Sequence, residues 1–159
     1  MEPLFKKIKE TLKIVKMRTL VILLLLILTS FNLSAQEWQT DFTKAKEIAN
    51  QEHKKILLVF QGSDWCAPCI KLDRKIWNSE KFKTYAKDHF VMLKADFPRR
   101  KKNKLSLKQE ENNKNLAAKY NSKGYFPLVV VLDDKGSVLG QLGYKNIKPT
   151  AYIKLLSSF

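Results

Sequence analysis

Cys66 and Cys69 are the only cysteines in a chain of 159 residues, and they stand three positions apart. A C-x-x-C pair can exchange thiols for a disulfide, supply half of a zinc site, or stand as an inert crosslink. The surrounding sequence weighs against the last two. There is no second cysteine pair, His53 and His89 lack the spacing of a zinc-binding histidine pair, and residue 70 is Ile where haem attachment needs His. No metal and no organic cofactor is therefore expected. A bridge between Cys66 and Cys69 would close a loop so short that it removes little unfolded-state entropy, which makes it a poor staple. Redox exchange is the chemistry left.

The residues around the pair give it a direction. Pro68 suits the first turn of a helix, where the N–H it lacks would have no helical partner. Cys69, Leu72 and Ile76 then share one face. At the N-terminus of that helix, unpaired N–H groups and the macrodipole stabilise an anion, so Cys66 is expected to be the attacking thiolate. Cys69, one turn deeper and facing inward, is expected to resolve the mixed disulfide. Ala67 and Pro68 shape the motif between them. Lys71, Asp73 and Arg74 read as a solvated face, and His53 and His89 as surface residues at helix ends.

These side chains need a frame, and the apolar pattern predicts one. Phe42, Ala45 and Ala49 behind an Asp41 cap predict a first helix, followed by a buried strand Ile56 to Phe60 and the turn Gln61-Gly62-Ser63-Asp64. After the motif helix, a break at Asn78-Ser79 introduces a short helix with Phe82, Tyr85 and Ala86 inward. A strand from Val91 to Asp96 follows. Ser106 and Gln109 form a capping-box pattern opening a helix with Leu116, Ala117 and Tyr120 inward. Leu128 to Leu132 and Val138 to Leu142, joined by Asp133-Asp134-Lys135-Gly136, predict an antiparallel hairpin. Pro149 opens a last helix with Tyr152, Leu155, Leu156 and Phe159 on one face. The fold class is α/β, with a mixed central sheet flanked by helices.

Trp65-Cys66-Ala67-Pro68-Cys69 after an apolar strand, with Phe126-Pro127 before a later one, resembles the thioredoxin superfamily. The lead-in Gly62-Ser63-Asp64-Trp65 is similar to its exported bacterial thioredoxin-like branch, and the resemblance covers about residues 37 to 159. It implies a thioredoxin-like fold in which Cys66 is the nucleophile, Cys69 the resolving thiol, Trp65 a flanking surface aromatic and Pro127 a cis-proline. It also implies that the backbone of Phe126 pairs with a substrate peptide as an added strand. The implied partners are disulfide-containing protein substrates and a dithiol electron-donor protein. Similarity of Ala67-Pro68 to the Gly-Pro of reducing relatives points to reduction, while oxidant and isomerase roles stay open. Two departures stand out. The strand position where reductases often carry a buried acid is Val59 or Phe60 here, and a long basic loop follows Asp96.

The apolar run Leu20 to Leu28, behind Lys6, Lys7, Lys9, Lys13, Lys16 and Arg18, reads as a signal peptide over residues 1–35, with the thioredoxin-like domain at 36–159. At roughly 1.5 Å per residue, nine residues span less than half of a ~30 Å hydrocarbon core. Cleavage after Ala35 and a periplasmic or otherwise exported location are expected. An uncleaved signal would leave a membrane tether, and Met17 offers a second start. The mature part carries 24 basic and 13 acidic side chains, a net charge of +11. With 45% hydrophobic and 11% aromatic residues, the chain can fill a core, which argues against disorder and against a multidomain enzyme. The basic run Arg99-Arg100-Lys101-Lys102-Asn103-Lys104 has no interleaved aromatic, so nucleic acid is not the expected partner. A solvated loop is the plain reading, and docking to an acidic protein or an anionic membrane its rival. A non-enzymatic binding module with an idle cysteine pair remains the alternative to an enzyme.

Overall fold

The computed structural model describes residues 12, 13, 15–19 and 37–159. The apolar run of the signal-peptide reading lies outside the described residues. The chain divides into two compact units, residues 1–34 and 35–159. In the first, residues 12, 13 and 15–19 are helical. Among the described residues, no helix is long and apolar enough to cross a membrane.

The second unit is built on five strands: β1 (Trp38–Gln39), β2 (Lys55–Gln61), β3 (Phe90–Asp96), β4 (Leu128–Leu132) and β5 (Val138–Leu142). Their order across the sheet is β1-β3-β2-β4-β5. The first three run parallel, and β4 and β5 reverse direction in turn, so the sheet is mixed as expected. β2 is bonded on both sides, to β3 in register Lys55↔Phe90 through Gln61↔Asp96 and to β4 from Ile56↔Leu132 to Phe60↔Leu128. A strand so placed must be apolar on both faces, and Ile56 to Phe60 are fully buried.

Five helices flank the sheet: α1 (Phe42–Glu52), α2 (Ala67–Leu72), α3 (Glu80–His89), α4 (Leu107–Tyr120) and α5 (Pro149–Ser157). Alternation along β2 separates two cores. Ile56, Leu58 and Phe60 pack with Ala45 and Ala49 of α1 and Leu116 and Tyr120 of α4. Leu57 and Val59 pack with Leu72, Ile76, Trp77, Phe82, Tyr152 and Leu156. Asp41, Ser79 and Ser106 cap their helices, each side chain accepting from the N–H three residues on. His53 and His89 are exposed at the ends of α1 and α3.

Three local features differ from the sequence expectation. β1, an edge strand of two residues paired with Met92 and Leu93, is too short to show a period. The motif helix does not run on as α-helix: Asp73–Trp77 forms a π turn, closed by Asn78 N–H donating to the Asp73 carbonyl at 2.9 Å. The wider turn lets consecutive Ile76 and Trp77 both enter the core. The capping box is half formed, because the Gln109 amide donates to the Thr40 carbonyl and to Asn113 Oδ1 instead of returning to Ser106.

Candidate active site

Strand β2 delivers the chain to the site and the turn after it sets the pair. Trp65 and Cys66 N–H both donate to the Gly62 carbonyl, at 3.3 and 2.9 Å. Cys66 is the N-cap of α2, with φ −84° and ψ 97°, and Pro68 sits in the first turn as expected. Cys66 and Cys69 are joined as a disulfide across that turn, Cα to Cα 5.2 Å. The Cys69 N–H donates to Cys66 Sγ at 3.2 Å. Both cysteines are buried to nearly the same degree, 4% and 3% exposed, while Ala67 and Pro68 between them are exposed. Exposure therefore does not separate the two sulfurs. The hydrogen bond does, because the backbone N–H of Cys69 is aimed at Cys66 Sγ.

Val59 and Phe60, where related reductases often carry an acid, are fully buried apolar side chains. The Phe126–Pro127 bond is cis, and the register Phe60↔Leu128 places these residues beside the end of β2 from which the motif departs. Asn121 holds this segment with both ends of its amide, donating to the Tyr125 carbonyl and accepting from the Tyr125 N–H, each at 2.9 Å.

Trp65 is half-buried and ties three segments together. Its ring lies 5.5 Å from that of Phe126, whose own ring is 5.4 Å from Phe97. Its Nε1 donates to the Phe97 carbonyl at 2.7 Å, and the Arg99 guanidinium stands 3.8 Å above its face. Gly62 lies directly beneath, where a Cβ would run into the indole. Trp65 is thus a flanking aromatic with one side packed, rather than a freely projecting one.

Sequence reasoning missed the groups that hold Trp65. Asp64, read as an exposed turn residue without a role, accepts from the N–H groups of Arg99 and Arg100 and from Asn103 Nδ2, each at 2.9 Å. The Arg99 N–H is the largest of several influences that hold its carboxyl below the ordinary value. Asp96, at the end of β3, accepts from Ser63 N–H at 2.9 Å and Ser63 Oγ at 2.6 Å. The buried Asn113 of α4 secures the same corner by donating to the Asp96 carbonyl at 2.7 Å. The polar turn Ser63-Asp64 and the basic run were both visible in the sequence, but nothing local joined them.

A thioredoxin-like family model matches residues 37–134. The chain belongs to the thioredoxin-like family. It is 37% identical over 122 residues to "Disulfide bond reductase DsbH" of Chlamydia pneumoniae, covering 77% of this chain and 71% of that protein. A solved structure named "DsbH Oxidoreductase" superposes with a TM-score of 0.72 at 34% identity, covering 79% of this chain and 84% of the other. A thioredoxin from Thermus thermophilus, at 15% identity, shares the fold with a TM-score of 0.58 over 79% of this chain and 87% of its own. The thioredoxin-like fold expected from the motif is therefore the fold found. Within this family, the chain is a homologue of a disulfide bond reductase and carries its cysteine pair at disulfide distance.

Proposed function

We propose that this chain is a thiol–disulfide oxidoreductase that reduces disulfides in exported proteins. The observation that carries the reading is the Cys66–Cys69 disulfide at the capped start of α2, with an N–H directed at Cys66 Sγ. In the dithiol form the Cys66 thiolate attacks one sulfur of a substrate disulfide, forming a mixed disulfide and expelling the other substrate sulfur as a thiolate. The Cys69 thiol, losing its proton, then attacks Cys66 Sγ. This frees the second substrate thiolate and leaves the Cys66–Cys69 disulfide. Two electrons have moved from enzyme to substrate, and a dithiol donor protein restores the starting state. The exposed Ala67-Pro68 rim, the half-buried Trp65 and the backbone of Phe126 beside cis-Pro127 are the groups assigned to hold the substrate chain.

One observation supports an exported location: the basic and apolar run before residue 35. The test is dithiothreitol-driven reduction of insulin by the chain and by Cys66→Ser. Acceleration by the wild type that vanishes in the variant is the expected result, and Cys69→Ser should accumulate the mixed disulfide. Equal rates in wild type and Cys66→Ser would overturn the reading in favour of a binding module.

A further inference from the structure

Arg99-Arg100-Lys101-Lys102-Asn103-Lys104 places five positive charges in six exposed residues. A loop of that composition repels itself, and left free it would spread its charges into solvent. Instead it is fastened at several points to the turn that carries Cys66. The Asp64 carboxylate takes the N–H groups of Arg99 and Arg100 and the amide of Asn103. A 3-10 turn over Lys101–Asn103 folds the middle of the loop, with Asn103 N–H donating to the Arg100 carbonyl at 2.9 Å. Trp65 donates to the Phe97 carbonyl, and the Arg99 guanidinium stands 3.8 Å from the centre of the Trp65 ring. The cations are thereby fixed beside the residue that precedes Cys66.

Their charge is left largely uncompensated. Two carboxylates stand nearby, Asp64 on the N–H groups of the loop and Asp96 on Ser63 and on the Phe97 N–H at 3.0 Å, so the five cations outnumber the anions beside them and the corner stays net positive. Among the described residues, the ion pairs are Lys54–Glu52 and Lys83–Glu80, and neither involves this loop. Beside the cations lie Trp65 and, across from it, Phe126, with Ile70 of α2 (44% exposed) and Tyr125 (57% exposed) presenting apolar surface from the same two segments.

We propose that residues 99–104 and Trp65 form a single docking surface for an acidic protein segment, so that the enzyme prefers substrates whose disulfide is flanked by Asp and Glu. The inference rests on the reductase reading and names the substrate class for it. Charge complementarity selects an acidic occupant, and attachment to the Cys66 turn selects a protein over a bilayer. A membrane seated on the same loop would cover Trp65 and obstruct the approach of a substrate disulfide to Cys66. At physiological ionic strength charges act over about 8 Å, so a cluster held here serves a partner in contact with the site.

The test uses the full chain, recycled by dithiothreitol, on three probes. One is bis(2-hydroxyethyl) disulfide, which is neutral; the others are two disulfide-bridged peptides of equal length, with Asp and Glu or with Lys beside the bridge. At low salt kcat/KM should favour the acidic peptide by about tenfold or more, within the range of electrostatic steering. The gap should close as sodium chloride is added, and the double variant Lys101→Glu, Lys102→Glu should narrow or reverse it. Equal values for the two peptides, a preference for the basic one, or a ratio unmoved by salt and by the double variant would overturn the proposal. Wild-type binding to phosphatidylserine vesicles without a peptide preference would overturn it in favour of a membrane. Failure to turn over the neutral disulfide would instead overturn the reductase reading, and the docking surface would then be judged alone by fluorescence anisotropy of the labelled peptides: tighter binding of the acidic one sustains it, equal binding ends it.

Discussion

Upstream of Cys66 the chain is held by directional polar contacts, and downstream of Cys69 it is held by packing. Ser63, Asp64 and Trp65 reach the segment 96–103 through hydrogen bonds at its surface. Leu72, Ile76 and Trp77 lie 1% exposed or less in the core with Val59, Phe82 and Tyr152. The contrast separates two tasks. Packing fixes the cysteine-bearing helix to the sheet with most of the energy available, whereas exposed hydrogen bonds add little stability but set where the basic loop sits.

The largest blow to this comparison should come from the packed side. Ile76→Ala empties part of the core beneath the π turn and should destabilise the fold by about 2–5 kcal/mol in denaturant titration, while folded molecules keep their thiol exchange. A loss well under 1 kcal/mol would mean that packing does not anchor this helix. Gly62→Ala tests the boundary between the regions. The added methyl collides with the Trp65 indole, with an overpacking penalty of about 1–3 kcal/mol. Its more specific effect should be a fall in kcat/KM on a protein disulfide of about tenfold, one strong contact's worth, with changed Trp fluorescence. The smallest effect on stability belongs to Asp64→Asn. The melting temperature should barely move, yet amide exchange at Arg99 and Arg100 should quicken.

Acid should mimic that variant. The Asp64 carboxyl is held below its ordinary value of 3.8 in the folded chain, so its contribution is complete above that value. It fades as pH falls through the lowered one. Protection of the two amides should therefore be flat from neutrality to about pH 4 and decline only at more acid values. A decline centred near neutrality would assign the clamp to some other group.

Much of the architecture was legible because it is written locally. The continuous apolar runs of β2 and β4, the Asp41, Ser79 and Ser106 caps and the turn at Asp133–Gly136 each depend on a few neighbouring residues. The cysteine spacing and Pro68 likewise marked the start of α2, while the cis peptide before Pro127 was legible only through family resemblance. The π turn stayed hidden because 69, 72 and 76 fit an unbroken α-helix equally well. The clamp stayed hidden for a different reason. Asp64 is 35 and 36 residues from the amides it accepts from, and a backbone N–H leaves no mark on residue type.

That last property gives the loop an unusual freedom. Because Asp64 grips main-chain N–H groups of Arg99 and Arg100, the loop's shape depends only weakly on the side chains at 101, 102 and 104. The segment is in effect a cassette: Lys101, Lys102 and Lys104 form no hydrogen bond or ion pair through their side chains among the described residues. A graft that keeps Asp64 and Asn103 but rewrites those lysines should retarget the protein without retuning its thiols.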